Sequence, residues 1–137
     1  MNAAVLVGVF GVAGALLRFA VDSWFAHRAA VATSSPRVGR AVGHTPQHWP
    51  WATLVVNAAG CLIIGLSAGI TGRLGLPEDV HTAVATGLAG GLTTFSSWTA
   101  ATIRLLSESR FAAAALNVAA NLAAGFAAAA VGIALVS

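Results

Sequence analysis

The chain has 137 residues, of which 58% are hydrophobic and only 8% charged, with four acidic residues, seven arginines and no lysine. Soluble domains carry about 25% charged residues, so this composition excludes an ordinary soluble fold and indicates an integral membrane protein. The net charge of +3 is spread over scattered arginines and forms no basic patch, so nucleic acid is excluded as a partner despite a pI near 11.2.

A chain of this length accommodates about four or five membrane spans with their connections. Residues 3–25 read as the first span, retained rather than cleaved because no positive segment precedes the apolar run. Gly8, Gly11 and Gly14 follow one another at three-residue intervals, which lets one face approach another helix closely. Arg18 lies inside this run with Asp22 four residues later. Two readings are open: a snorkelling arginine paired with Asp22, or a positive charge at the mouth of an anion path.

Residues 27–50 form a polar connection with Arg28, Arg37, Arg40 and three of the four histidines. Pro36, Pro46 and Pro50 argue against a long helix there. His44 and His48 have a spacing that suits a metal on a helix, but Pro46 stands between them, and solvated side chains are the expectation.

The second span, residues 52–72, follows the interfacial tryptophans Trp49 and Trp51. Asn57 is its strongly polar side chain at depth, with Thr53 one turn earlier on the same face. Such an amide either glues helices together or offers N–H donors to an anion. The single cysteine, Cys61, has no internal disulfide partner and reads as a small packing residue. A turn over residues 73–80 carries Gly75 and Pro77, with Glu78 and Asp79 placed to favour the start of the next helix.

The third span, residues 81–103, contains the least lipid-like stretch of the chain, residues 87–99. Adjacent Gly90 and Gly91 predict a helix break there, tolerated at membrane depth only where protein or a watery cavity satisfies the freed backbone. Hydroxyl residues follow, and Phe95 and Trp98 share a helical face. The pattern fits an ion site or a small-residue interface with aromatic filler. After a turn at residues 104–110, the alanine-rich fourth span covers residues 111–136. In it Asn117, Asn121 and Gly125 recur every four residues as one stripe, either interhelical glue or a polar track.

No span carries a carboxylate, histidine or lysine at depth, which removes the usual proton relay. No nucleophile–base pair, metal cluster or phosphate loop is present, so the chain is not read as an enzyme. What remains at depth is neutral and donating: Asn57, Asn117, Asn121, Thr93, Thr94, Ser96, Ser97 and Thr99. Such a lining can replace the hydration shell of a small anion and still release it. The positive edge of Phe95 can join it.

Three segments resemble the small fluoride channels of the CrcB-like family: Gly14-Ala15-Leu16-Leu17-Arg18-Phe19, the run from Trp49 to Asn57 with Gly60-Cys61, and above all Gly90-Gly91-Leu92-Thr93-Thr94-Phe95-Ser96. The resemblance covers nearly the whole chain. It implies an all-α integral membrane protein of four transmembrane helices in the plasma membrane, the third broken at Gly90-Gly91. It further implies an antiparallel, dual-topology dimer with two fluoride pores that passively exports cytoplasmic fluoride. A structural sodium ion (Na+) is implied at the centre, held by the backbone carbonyls of Gly90 and Thr93 from both subunits. Asn57, Phe95, Trp98, Thr94, Ser96, Asn117 and Asn121 are implied as pore, fluoride-binding residues, and Arg18 as a vestibule arginine. Trp98 stands where the family usually has Phe, and Asn117 and Asn121 stand where many members have Tyr and Ser.

Two other functions compete. A small four-span proton-coupled exporter of the multidrug type needs a membrane-embedded glutamate, whereas Glu78 and Glu108 lie in turns. A non-conducting subunit of a heterodimeric fluoride channel is the other. Arg28, Arg37, Arg40, Arg104 and Arg110 fall on one side of a four-span topology and Arg73 on the other, which predicts one orientation with both termini outside. That bias favours an oppositely oriented homologous partner, while the resemblance favours a two-fold homodimer.

Overall fold

The computed structural model describes residues 2–33 and 49–136, so the expectations for Pro36, Arg37, Arg40, His44, Pro46 and His48 lie outside the described residues. The described residues form helices joined by short turns, with no strand among them. Three helices are long and apolar enough to cross a membrane: α1 (Ala3–Thr33), α2 (Trp51–Leu74) and α6 (Phe111–Ala134). Between the last two lies a composite third span. It runs through α3 (Glu78–Thr82), a π-helical segment (Ala83–Ala89), α4 (Gly90–Leu92) and α5 (Phe95–Ser107).

α1 continues beyond the expected end at residue 25 because nothing in Ala26 to Thr33 breaks a helix, and alanine favours one. The Arg28 guanidinium lies 4.4 Å from the centroid of the Trp24 ring one turn earlier, a cation–π pair that supports this extension. α2 stops where Gly75 takes φ 60°, the left-handed conformation that glycine adopts without a Cβ penalty.

The helices pack as two parallel pairs. α1 lies along the third span in register, Val7 against Gly87, Gly11 against Gly91 and Gly14 against Leu88 and Leu92. α2 lies along α6 in the same way, with Cys61 against Gly125, Gly65 against Ala129 and Leu62 against Gly132. In both pairs backbone meets backbone. A Cβ on Gly14 would overlap the Leu88 carbonyl oxygen, and one on Gly132 would stand 2.6 Å from that of Leu62. Small residues permit this approach, and dispersion between the closely spaced backbones holds the pairs where lipid offers no hydrophobic drive. Elsewhere the surface is apolar: Val9, Phe19, Phe111 and Phe126 are all exposed.

The helix break is real but not where the glycines predicted it. Gly90 and Gly91 are helical, and the chain turns extended at Thr93 (φ −76°, ψ 158°) and Thr94 (φ −145°, ψ 112°). β-Branched threonine suits extended backbone, and the Thr94 hydroxyl then caps α5 by accepting from Ser97 N at 3.2 Å. Gly91 serves packing instead, since a Cβ there would overlap the Gly11 carbonyl oxygen. Just ahead, the π-helical segment widens the helix where Gly87 presses on α1, with Val7 O 2.7 Å from where its Cβ would stand.

Candidate functional site at the helix break

Breaking a helix frees N–H groups on one side and carbonyls on the other. Here side chains from two other helices answer them. The Thr94 N–H, which an unbroken helix would give to the Gly90 carbonyl, donates instead to Asn57 Oδ1 at 2.9 Å. That bond fixes the Asn57 amide, so its Nδ2 faces the break. Nδ2 donates to Asn121 Oδ1 at 3.1 Å and, at 3.4 Å, to the Thr94 carbonyl. The second bond sits at the outer edge of hydrogen-bonding distance, so that N–H can turn to another acceptor at small cost.

On the carbonyl side, Arg18 of α1 donates from Nη1 to the Thr93 oxygen at 3.3 Å. The pairing with Asp22, one of the two open readings, is not formed; among the described residues the ion pair is Arg110–Glu108 at 3.3 Å, near the surface. Arg18 is therefore tied to the break itself. The Gly90 carbonyl receives a long contact from the Thr93 hydroxyl, at 3.5 Å.

The stripe on α6 becomes a ladder. Asn121 Nδ2 donates to the Asn117 carbonyl at 3.0 Å and to its Oδ1 at 3.2 Å, and Asn121 Oδ1 takes the Asn57 donor. Asn117 is fully buried, and no buried side-chain N or O among the described residues lacks a partner. The three amides thus lie in one network, with Asn57 the member nearest the break.

Asn57, Thr94, Asn121, Phe95 and Trp98 all border an open groove of about 290 Å³ that runs over the break. Phe95 is 73% exposed and meets Trp98 edge to face, with ring centroids 5.6 Å apart. Ser96 is exposed at the start of α5 and shares a 3.3 Å hydrogen bond with the Thr94 hydroxyl. Cys61 lines the same groove. Arg18, Gly90 and Thr93 thus fall on the carbonyl side of the break, Asn57, Thr94, Phe95, Ser96, Trp98 and Asn121 lie towards the groove, and Asn117 stands behind them, buried against Thr102.

Sequence reading missed two polar contacts. Thr102 accepts from Asn117 Nδ2 at 2.9 Å, deep between α5 and α6. Its place one turn after Trp98 was the available signal. Ser67 of α2 also meets His81 Nδ1 at 2.9 Å, near the start of the third span.

The chain is similar in sequence to known proteins. The family described as CrcB-like protein, Camphor Resistance (CrcB), matches residues 5–133. A Renibacterium salmoninarum protein named fluoride-specific ion channel FluC is 42% identical over 131 residues, 96% of each chain. One from Thermobifida fusca, named fluoride-specific ion channel FluC 1, is 38% identical over 133 residues, 97% of this chain and 94% of that one. A third, from Syntrophotalea carbinolica and also named fluoride-specific ion channel FluC, is 34% identical over 119 residues. Because the match runs almost from end to end and takes in the helix break with the amides that answer it, this chain belongs to the CrcB-like family.

Proposed function

We propose that this chain is a fluoride-selective passive channel of the plasma membrane, spanning it several times and exporting cytoplasmic fluoride. The observation that carries the reading is the Asn57 amide, held by the Thr94 N–H at the edge of the groove, with its donors on Asn121 Oδ1 and, at the outer limit of distance, on the Thr94 carbonyl. Relatives of similar length bear the name of fluoride-specific ion channels. Fluoride is small and strongly hydrated, so a path for it needs neutral donors that replace water without trapping the ion. Asn57 supplies them from the second span, while the Thr94, Ser96 and Ser97 hydroxyls and the Phe95 ring edge border the same region. Arg18 adds a positive charge beside the break and raises the local concentration of anions.

The open groove and the exposed Phe95 are the features a second subunit would complete, and we infer an antiparallel partner. Gly90 supports this: it is exposed, and the nearest atom to a Cβ placed there is 4.0 Å away, so no packing within the chain accounts for a glycine. The residues also fit the inferred sodium ion. The Gly90 carbonyl has lost its helical donor to Asn57 and keeps a 3.5 Å contact from the Thr93 hydroxyl. The Thr93 carbonyl, which accepts from Arg18 at 3.3 Å, ends a half-helix with a second lone pair; both are the kind of hard neutral oxygen that sodium takes. Gly90 and Thr93 would hold it with their counterparts in the partner, and the bound ion supplies a fixed positive charge. Arg28, Arg104 and Arg110 gather at one end of the bundle and Arg73 lies at the other, so the partner is inferred to be an oppositely oriented homologue.

Liposomes containing only this chain test the channel directly, with a fluoride electrode and chloride as the control ion. Rapid efflux of fluoride but not chloride, without a proton gradient, is expected from a self-sufficient channel. Silence from folded protein would mean that the chain conducts only with a different subunit, and co-expression with an oppositely oriented homologue would then be required. Reporter fusions at both termini test orientation: signal from the outer face alone is expected, and equal signal from both faces would establish a dual-topology homodimer.

A further inference from the structure

Between α5 and α6 three hydrogen bonds close into a ring. Asn117 Nδ2 donates to Thr102 Oγ1 at 2.9 Å, Thr102 Oγ1 donates to the Trp98 carbonyl at 2.9 Å, and Trp98 Nε1 donates to the Asn117 carbonyl at 3.3 Å. Thr102 uses its hydroxyl as acceptor and donor at once, which valine cannot do and serine can. The indole N–H is the element that ties an aromatic ring into this circuit; a phenyl ring has no such donor.

The position of that ring matters because Trp98 and Phe95 border two grooves. One is the groove of about 290 Å³ beside Asn57; the other, of about 300 Å³, extends past Thr99 and Thr102 towards Val118. The edge-to-face contact between the two rings, 74° between their planes, passes any rotation of the indole to the exposed Phe95. The circuit also continues through Asn121 to Asn57, because Asn117 accepts both Asn121 donors.

We propose that the Trp98–Asn117–Thr102 ring locks the indole as the shared wall of the two grooves, making Thr102 a positioning residue that controls fluoride permeation through Trp98. The proposal rests on the channel reading above. In that reading Thr102 orients the aromatic wall and holds the far end of the amide ladder, so its loss loosens both.

The test uses the full chain in micelles with tryptophan labelled with ¹⁵N, alongside flux from liposomes. The Trp98 indole resonance is identified by its loss in Trp98→Phe, and exchange of its N–H with deuterium is followed in Thr102→Val and Thr102→Ser. Thr102→Val is expected to speed exchange about tenfold, the scale of one neutral hydrogen bond, and to change fluoride flux severalfold, with Thr102→Ser restoring both. Trp98→Phe, which keeps an aromatic ring but removes the donor, is expected to change flux in the same direction as Thr102→Val. Unchanged exchange in Thr102→Val, failure of serine to restore it, or parental flux in Trp98→Phe would overturn the proposal. Should the unmodified chain carry no fluoride by itself, flux is read with the oppositely oriented homologue co-expressed; silence there too defeats the channel reading and permeation control with it, while the exchange data still decide whether the ring holds the indole.

Discussion

Asn57→Asp is expected to lower fluoride efflux to the level of protein-free liposomes while the protein stays helical and monodisperse. Aspartate keeps the oxygen that accepts from Thr94 N, so the helix break retains its cap. It loses both donors, and the new oxygen faces the Asn121 Oδ1 and Thr94 carbonyl oxygens, where the Asn57 N–H groups had pointed. It also adds a negative charge beside the path of an anion. Two unit charges ~4 Å apart at an effective dielectric of ~20 repel by about 4 kcal/mol, or about a thousandfold in occupancy. Fluoride efflux with circular dichroism on the same sample separates this result from unfolding. Parental flux in Asn57→Asp would remove Asn57 from the path.

Gly91→Val is expected to separate α1 from the third span. A Cβ at this position overlaps the Gly11 carbonyl oxygen and stands 3.1 Å from Ala15 N, all backbone that cannot give way as a side chain would. Overpacking of this kind costs about 3 kcal/mol. The midpoint of heat-induced loss of monodisperse protein, followed by size exclusion, is expected to fall by about 10 °C. Gly90→Ala is the contrast, because open space surrounds that glycine within the chain and its stability is expected to stay near the parent's. Any loss of flux in Gly90→Ala then reports on the surface facing a second subunit. Equal destabilisation by the two substitutions would show that the register of α1 on the third span is not what holds the pair together.

These two neighbouring glycines show how far the sequence could be read. A Gly-Gly pair within an apolar span announces a special backbone, but it does not say whether the need is flexibility or proximity. At Gly91 the need is proximity, and the break moved to Thr93 and Thr94, whose β-branched side chains accept extended backbone and whose hydroxyl caps the next helix. The cap signature Thr94-x-x-Ser97 was present in the chain, but glycine is the stronger signal in any one-dimensional reading. Asn57, Asn117 and Asn121 were legible because amides are costly in a span and their four-residue spacing on α6 defined a face. Which atoms they would satisfy was not legible, since the partners come from Thr94 and Thr102, 37 and 15 residues away. The partner of Arg18 lay equally out of sight. Asp22 was the nearby candidate, but the parallel packing of α1 brings Arg18 to Thr93, 75 residues distant.

The length of α1 has a practical consequence. Its 31 residues make a rod of about 46 Å, well over the ~30 Å of hydrocarbon it must cross. Trp24 and Phe25 line a cleft together with Trp49 and Trp51, aromatic residues of the kind that mark the headgroup level. From Trp24 to Thr33 the helix climbs roughly 13 Å further. The last turns of α1 thus stand as a stalk beyond the aromatic residues that mark the bilayer surface. An epitope grafted just after Thr33 would be carried clear of the lipid, in reach of an antibody fragment that never touches the helices carrying the ion.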